Sequence, residues 1–327
     1  MTSDEWVLSI DRARICRFAR ILRSVLRNVT LDTFTDTRFY PPADADVETA
    51  LRYFLAMVAI DHRTSRYGPF EGYVDGEFFH GADLLYRLGT KKLSEDPEFF
   101  SPERLARISV DDVKRWLSVD GRVIWDPEVR ALLLRDLGRK LLRMFGGSAL
   151  RLVRSAGNYL KRPSGHGLID MLKAFKAYSD PVEKKPYLLT KFISRRGYFR
   201  YVDIENSEVP VDNHLVRIAF RIGLVTLHEK LINMIAKGDE VSEEDDVNIR
   251  LAVREAYKLV ARACGVDPLV FDDYLWMFGR RYCTRIDPLC VRRQAPEGTC
   301  PFIGVCRFSG KDSLIITEHN FPNTYYY

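Results

Sequence analysis

The chain has 327 residues, 46% hydrophobic and 29% charged, an ordinary globular composition that excludes fibrous and disordered classes and suffices for one large or two small packed domains. A net charge of +5 permits phosphate binding without demanding it, because many basic residues fall in periodic segments where a solvated helix face accounts for them. No stretch approaches the roughly 18 to 20 apolar residues of a membrane span. Asp4, Glu5, Asp11, Arg12 and Arg14 interrupt the opening segment as no signal peptide tolerates, so a cytoplasmic, monomeric protein with no membrane partner is expected.

In chain order, residues 1–30 read as a helix with apolar Ile15, Phe18, Leu22 and Leu26 on one face. Pro41-Pro42 marks a loop, and Val47 to Ile60 a strongly apolar helix capped by Asp44 or Asp46. Tyr67 to Gly81, rich in glycine and aromatics, predicts a short hairpin. Helices follow at 81–88, 101–106, 109–117, 127–145, 148–160 and 167–177. Gly146-Gly147 stops the long one. Further helices are predicted at 186–195, 213–223, 226–236, 242–264 and 268–278, with no convincing strand elsewhere. The fold class expected is all-α: a multi-helix, non-bundle fold of two lobes with a cleft between them.

Six cysteines divide unevenly. Cys16 and Cys264 stand alone and read as buried small residues, whereas Cys283, Cys290, Cys300 and Cys306 crowd into 24 residues with spacing Cys-x6-Cys-x9-Cys-x5-Cys. Four thiolates in one short loop can ligate a [4Fe–4S] cluster or zinc. Zinc loops usually carry Cys-x2-4-Cys knuckles, and none is present, so the cluster is the expected cofactor, with zinc and free thiols as alternatives. Pro288 and Pro301 stiffen the loop, and Arg281, Arg285, Arg292, Arg293 and Arg307 surround it as cluster counter-charges, phosphate contacts or solvated side chains. Trp276 and Phe278 read as packing against it.

Three other features are candidates for chemistry. Asp212 precedes an apolar-periodic helix, so it is an N-cap by default; a carboxylate at a helix start can also stabilise a sugar oxocarbenium ion or activate water. Lys191 is one lysine in the apolar helical run Pro186 to Ile193, either snorkelling or desolvated and reactive. Asp61 and His62 follow the apolar helix 47–60, where a surface turn is the simple reading.

Residues 273 to 306, running Asp-Tyr-Leu-Trp-Met-Phe-Gly-Arg-Arg-Tyr-Cys, then Pro-Leu-Cys, then Cys-Pro-Phe-Ile-Gly-Val-Cys, resemble the end of the iron–sulfur DNA glycosylases of the endonuclease III and adenine glycosylase type. Here the middle gap is lengthened to nine residues. Pro210-Val211-Asp212 followed by Arg217 resembles the Pro-Val-Asp-x-x-x-x-Arg signature of the helix-hairpin-helix glycosylase superfamily, which implies that Asp212 is the catalytic carboxylate and Arg217 a substrate-binding residue. The run Pro186 to Ile193 resembles the catalytic-lysine helix of archaeal 8-oxoguanine glycosylase and places Lys191 at the nucleophile; the superfamily's Leu-Pro-Gly-x-Gly hairpin, which grips phosphates, is absent. Asp61 and His62 fall where glycosylases set a polar residue that probes the gap left by a flipped base.

Residues 75 to 280 also resemble the queuosine salvage family of nucleotide N-glycosidases, through Phe145-Gly-Gly-Ser148, Tyr178-Ser-Asp180, Asn248-Ile-Arg250 and Asp273-Tyr-Leu-Trp276 in that order. That family lacks the cysteine loop. The resemblances together imply a glycosylase-like helical region at 1–280, a [4Fe–4S] loop at 281–310 and a tail at 311–327. The implied activity is cleavage of a base–sugar bond, with DNA as partner and, as alternatives, a 7-deazaguanine nucleoside or nucleotide or non-catalytic nucleic-acid binding.

Overall fold

The structure is a computed structural model and describes residues 6–27, 30–292, 298–309 and 316–327. It is dominated by helices, and its described strands form three two-stranded antiparallel pairs. The chain divides into two compact units, residues 1–31 with 207–323 and residues 32–206 with 324–327.

The chain begins with β1 (Val7–Ile10) and α1 (Arg12–Leu26). The second unit holds α2 (Val47–Ala59), β2 (Glu71–Val74), β3 (Glu77–His80), α3 (Gly81–Glu95), α4 (Pro102–Leu105), α5 (Val110–Trp116), β4 (Ser118–Val119), β5 (Arg122–Val123), α6 (Pro127–Phe145), α7 (Ala149–Ser155), α8 (Leu168–Leu172) and α9 (Lys184–Arg195). The first unit is completed by α10 (Asn213–Ile222), β6 (Val225–Leu227), α11 (Glu229–Lys237), α12 (Glu243–Cys264) and α13 (Pro268–Arg281). No described helix is long and apolar enough to cross a membrane.

In the second unit α2 is the buried spine: nearly every side chain from Ala50 to Ala59 is shielded from solvent. Asp46, rather than Asp44, caps it by accepting from the Thr49 amide at 2.9 Å. Tyr178 Oη donates to Leu55 O at 2.7 Å, tying in the segment before α9. Gly138 on α6 lies against the backbone of Pro102–Ala106, where a Cβ would collide, so glycine permits the close α4 crossing. The predicted hairpin forms as β2–β3 with Tyr73 opposite Phe78. Phe70 and Phe79 turn inward, while Tyr67, Tyr73 and Phe78 stay exposed.

In the first unit α12 is the spine, contacting α1, α10 and α13, and Tyr257 Oη donates to Leu215 O at 2.7 Å. Here the chain departs from expectation. Residues 7–10 are a strand, not helix, and they pair with β6, which replaces the start of the helix predicted at 226–236. The pairing partners are more than 200 residues apart, a contact that no local pattern signals. Cys16 is exposed and Cys264 half-buried, against the expectation of two core thiols. The buried face of α1 runs through Ile15, Phe18, Ala19 and Leu22, which turns Cys16 outward.

Candidate functional site

The cysteines belong to the first unit. α13 buries Phe271, Tyr274, Leu275 and Phe278 and delivers the chain to Cys283, whose amide donates to Phe278 O at 2.8 Å. Cys290 sits in a short 3-10 turn, Leu289–Val291, anchored by the Leu289 amide on Tyr282 O. Cys300 and Cys306 bracket a compact turn closed by the Cys306 amide on Phe302 O at 2.8 Å. The buried Phe302 ring packs against Phe18 and Phe278, with centroids 4.7 and 5.1 Å away. Phe278 is therefore packed as expected, whereas Trp276 is 40% exposed with the Arg280 guanidinium over its ring. Arg293 lies outside the described residues.

All four cysteines line one cavity, with Arg221, Phe278, Phe302 and Phe308 among its walls. Burial, with a contribution from the neighbouring thiols, pushes Cys300 and Cys306 up to about 11. Among the described residues no group of three or more His, Cys, Asp or Glu side chains already stands at metal-holding geometry. The donor set fits a thiolate-bound group in kind: four sulfurs on one cavity, and a 3% exposed guanidinium on its wall whose described partners are neutral.

α10 joins this loop to Asp212. Its sequence dictates an inward helix: Asp212 at the N-cap, six buried apolar side chains from Leu215 to Ile222, and Gly223 in the left-handed conformation at its end. Asp212 is half-buried. Oδ1 accepts from the Leu215 amide at 2.9 Å, and Oδ2 takes no hydrogen bond from a described residue. Two residues on, burial lowers the pKa of His214 below its ordinary value despite the opposing carboxylates of Asp212 and Glu318, and its buried Nδ1 finds no described partner. Arg217 is 2% exposed: Nε donates to Cys283 O at 3.1 Å, one terminal nitrogen pairs with Glu318 at 3.0 Å, and the other donates to Gly279 O at 3.3 Å. A substrate contact from Arg217 would have to displace one of these.

The second unit carries the other candidates. Lys191 is 5% exposed on α9, its ammonium 5.8 Å from the Phe34 ring centroid. Asp61 and His62 follow α2. Asp61 Oδ2 accepts from Tyr86 Oη at 3.4 Å and pairs with Lys184 at 3.5 Å. His62 is not a surface residue; it is 3% exposed and neither ring nitrogen has a described partner. Burial, reinforced by Arg130, Lys185 and Lys184, holds it well below its ordinary pKa and therefore neutral.

Sequence reading missed Lys185, which is fully buried. Its ammonium donates to Ala59 O at 2.6 Å, and burial lowers its pKa well below the ordinary lysine range. Glu183-Lys184-Lys185 looks like a solvated helix start; only Pro186 and the apolar run behind it hint that these residues point inward. Arg221 was missed too, although two arginines four residues apart within an apolar helix are a legible oddity.

No protein-family model and no curated protein sequence matches the chain. Among solved structures, a trapped endonuclease III–DNA covalent intermediate in an estranged-adenine complex is similar over 91% of this chain and 97% of its own, at 13% identity and a TM-score of 0.47. That likeness is too slight to assign fold or chemistry.

Proposed function

We propose that the protein is an N-glycosidase that cleaves a base–sugar bond, with DNA base excision as its first reading. The observation that carries it is the divided carboxylate of Asp212: one oxygen caps α10 and the other is uncommitted among the described residues. Such a group is held in place yet able to face a developing cation. Asp212 stabilises the sugar oxocarbenium ion as the base departs. Lys191 attacks C1′ or positions water, and the neutral ring of His62, next to Asp61 and without a partner among the described residues, supplies hydrogen bonds to the base. Cys283, Cys290, Cys300 and Cys306 would hold a [4Fe–4S] cluster, which when bound pins the loop carrying the exposed Arg281, Arg285 and Arg307 toward phosphate.

One observation favours the second reading, a 7-deazaguanine nucleotide. The backbone amides of Val182 and Lys184, at and just before the start of α9, are already engaged: the fully buried Asp180 accepts from both, each at 3.0 Å. A carboxylate seated there opposes phosphate.

The test is base release from lesion-bearing or abasic duplex DNA and, in parallel, from 7-deazaguanine nucleotides. Release from the duplex, with affinity falling about 0.9 log unit per log unit of salt for each phosphate neutralised, supports the first reading. Release from the nucleotide with no duplex binding at low salt replaces it with the second. Binding without any release leaves a non-catalytic nucleic-acid-binding protein.

A further inference from the structure

Two arginines on α10 are buried almost equally, Arg217 at 2% and Arg221 at 3% exposed, and their electrostatic situations differ. Arg217 has the Glu318 carboxylate at 3.0 Å. Arg221, one turn further along, has only neutral described acceptors: Ile316 O at 2.7 Å, Thr284 O at 2.6 Å, Arg285 O at 2.7 Å, and Cys283 through its carbonyl and its Sγ, both at 3.4 Å. Glu318, the nearby acid, is taken up by Arg217 and Arg285. A guanidinium does not deprotonate in a protein, and a buried cation without a counter-charge is costly. With no counter-charge among the described residues, the place for one is where the side chain stands, on the wall of the cavity lined by the four cysteines.

We propose that Arg221 is the counter-cation and sulfur hydrogen-bond donor of a dianionic four-thiolate centre at Cys283, Cys290, Cys300 and Cys306; this rests on the reading that the cysteines hold a metal group. Four thiolates around a core of charge +2, a [4Fe–4S] cluster or zinc, leave 4 × (−1) + 2 = −2. Arg221 halves that charge. Its N–H toward Cys283 Sγ, weak to a neutral thiol, becomes a charge-assisted bond to a thiolate. Arg221 is thus a positioning residue for the centre: it favours the loaded state and, for an iron–sulfur group, the more negative reduced state, raising the reduction potential.

The experiment compares wild type, Arg221→Gln and Arg221→Lys after anaerobic reconstitution with ferrous iron and sulfide and, separately, with zinc. Metal per chain, the rate of release to a chelator and, for iron, the reduction potential are read. Arg221→Gln should release metal roughly ten- to a hundredfold faster, the usual effect of losing a partner of a metal ligand, with the potential moved to more negative values. Arg221→Lys, which keeps the charge and loses the fork, should fall between. If the Gln variant fails to fold, the Lys variant alone decides by its potential and release rate. Wild-type release and potential in the variants would reduce Arg221 to a clamp on loop carbonyls and overturn the proposal while the metal reading stands. A wild-type protein that takes up neither iron nor zinc overturns the metal reading itself, and a loaded protein that releases no base from any substrate touches only the proposed activity.

Discussion

Arg217 reaches from α10 to Cys283: its Nε donates to the Cys283 carbonyl oxygen at 3.1 Å while the same guanidinium pairs with Glu318 at 3.0 Å. The first residue of the cysteine loop is thereby fastened to the helix that Asp212 caps, by a hydrogen bond from a guanidinium whose ion pair with Glu318 is almost out of reach of solvent.

Glu318→Gln keeps the shape and leaves Arg217 buried without a counter-charge, so it should cost about 3 to 5 kcal/mol of stability. Burial raises the Glu318 carboxyl, but Arg217 and Arg285 outweigh it and hold the pKa below its ordinary value of 4.5. A depressed carboxylate contributes stability that is complete above the unfolded-state pKa and is lost as pH falls through the folded one. Wild type should therefore lose stability steeply below about pH 4.5, and the Gln variant should show a shallower slope there in urea unfolding.

His62 titrates in a different window. Its folded pKa is depressed by burial and by Arg130, Lys185 and Lys184, so the unfolded chain takes up this proton first as pH falls below 6.5. The neutral ring's contribution is intact above that value and fades below it. Melting temperature should drop between pH 7 and pH 5, and His62→Leu should flatten that part of the curve. An identical pH profile in the variant would mean that His62 is not held neutral by its surroundings.

Much of this was legible in the sequence because it is local. The long helices α6, α12 and α13 follow from apolar periodicity with caps at Ser242 and Asp267 and stops at Gly146 and Gly265. The convergence of four cysteines on one cavity follows from their crowding into one loop with its own proline turns. The β1–β6 pair was not legible, since neither strand has a strong pattern and their pairing is nonlocal. Nor was the burial of Lys185 and Arg221, because a charged residue in a helix reads as solvated until tertiary packing covers it. His62 was a candidate from sequence, but its burial stayed hidden for the converse reason: a residue just past a helix end looks like a surface turn, and only the fold shows it enclosed.

Cys290 hangs on a three-residue turn with one buried anchor, Leu289. Loaded protein carrying Cys290→Ser should bind less than one metal group per chain, and hydrogen exchange should rise across 283–292 and 298–306. Full metal content with wild-type protection would remove Cys290 from the ligand set.

Two of the three buried lysines of α9, Lys185 and Lys191, are competing nucleophiles. Attack on C1′ by a neutral amine gives an imine that borohydride reduces to a stable protein–substrate adduct. Lys191→Gln should abolish the adduct if Lys191 is the nucleophile, with Lys185→Gln still trapping. The reverse pattern would move the role to Lys185, whose burial already lowers its pKa. Base release with no adduct in wild type would assign the step to water.

The most direct measurement is the single-turnover rate of base release by Asp212→Asn on whichever substrate wild type cleaves, with folding checked by circular dichroism. Asparagine preserves the cap on the Leu215 amide and removes the negative charge that opposes the oxocarbenium ion. The expected result is a folded protein whose rate falls by about 10² to 10³, the usual loss when one electrostatic contribution to the transition state is deleted. A folded variant releasing base at the wild-type rate would contradict it, and Asp212 would then be a helix cap alone.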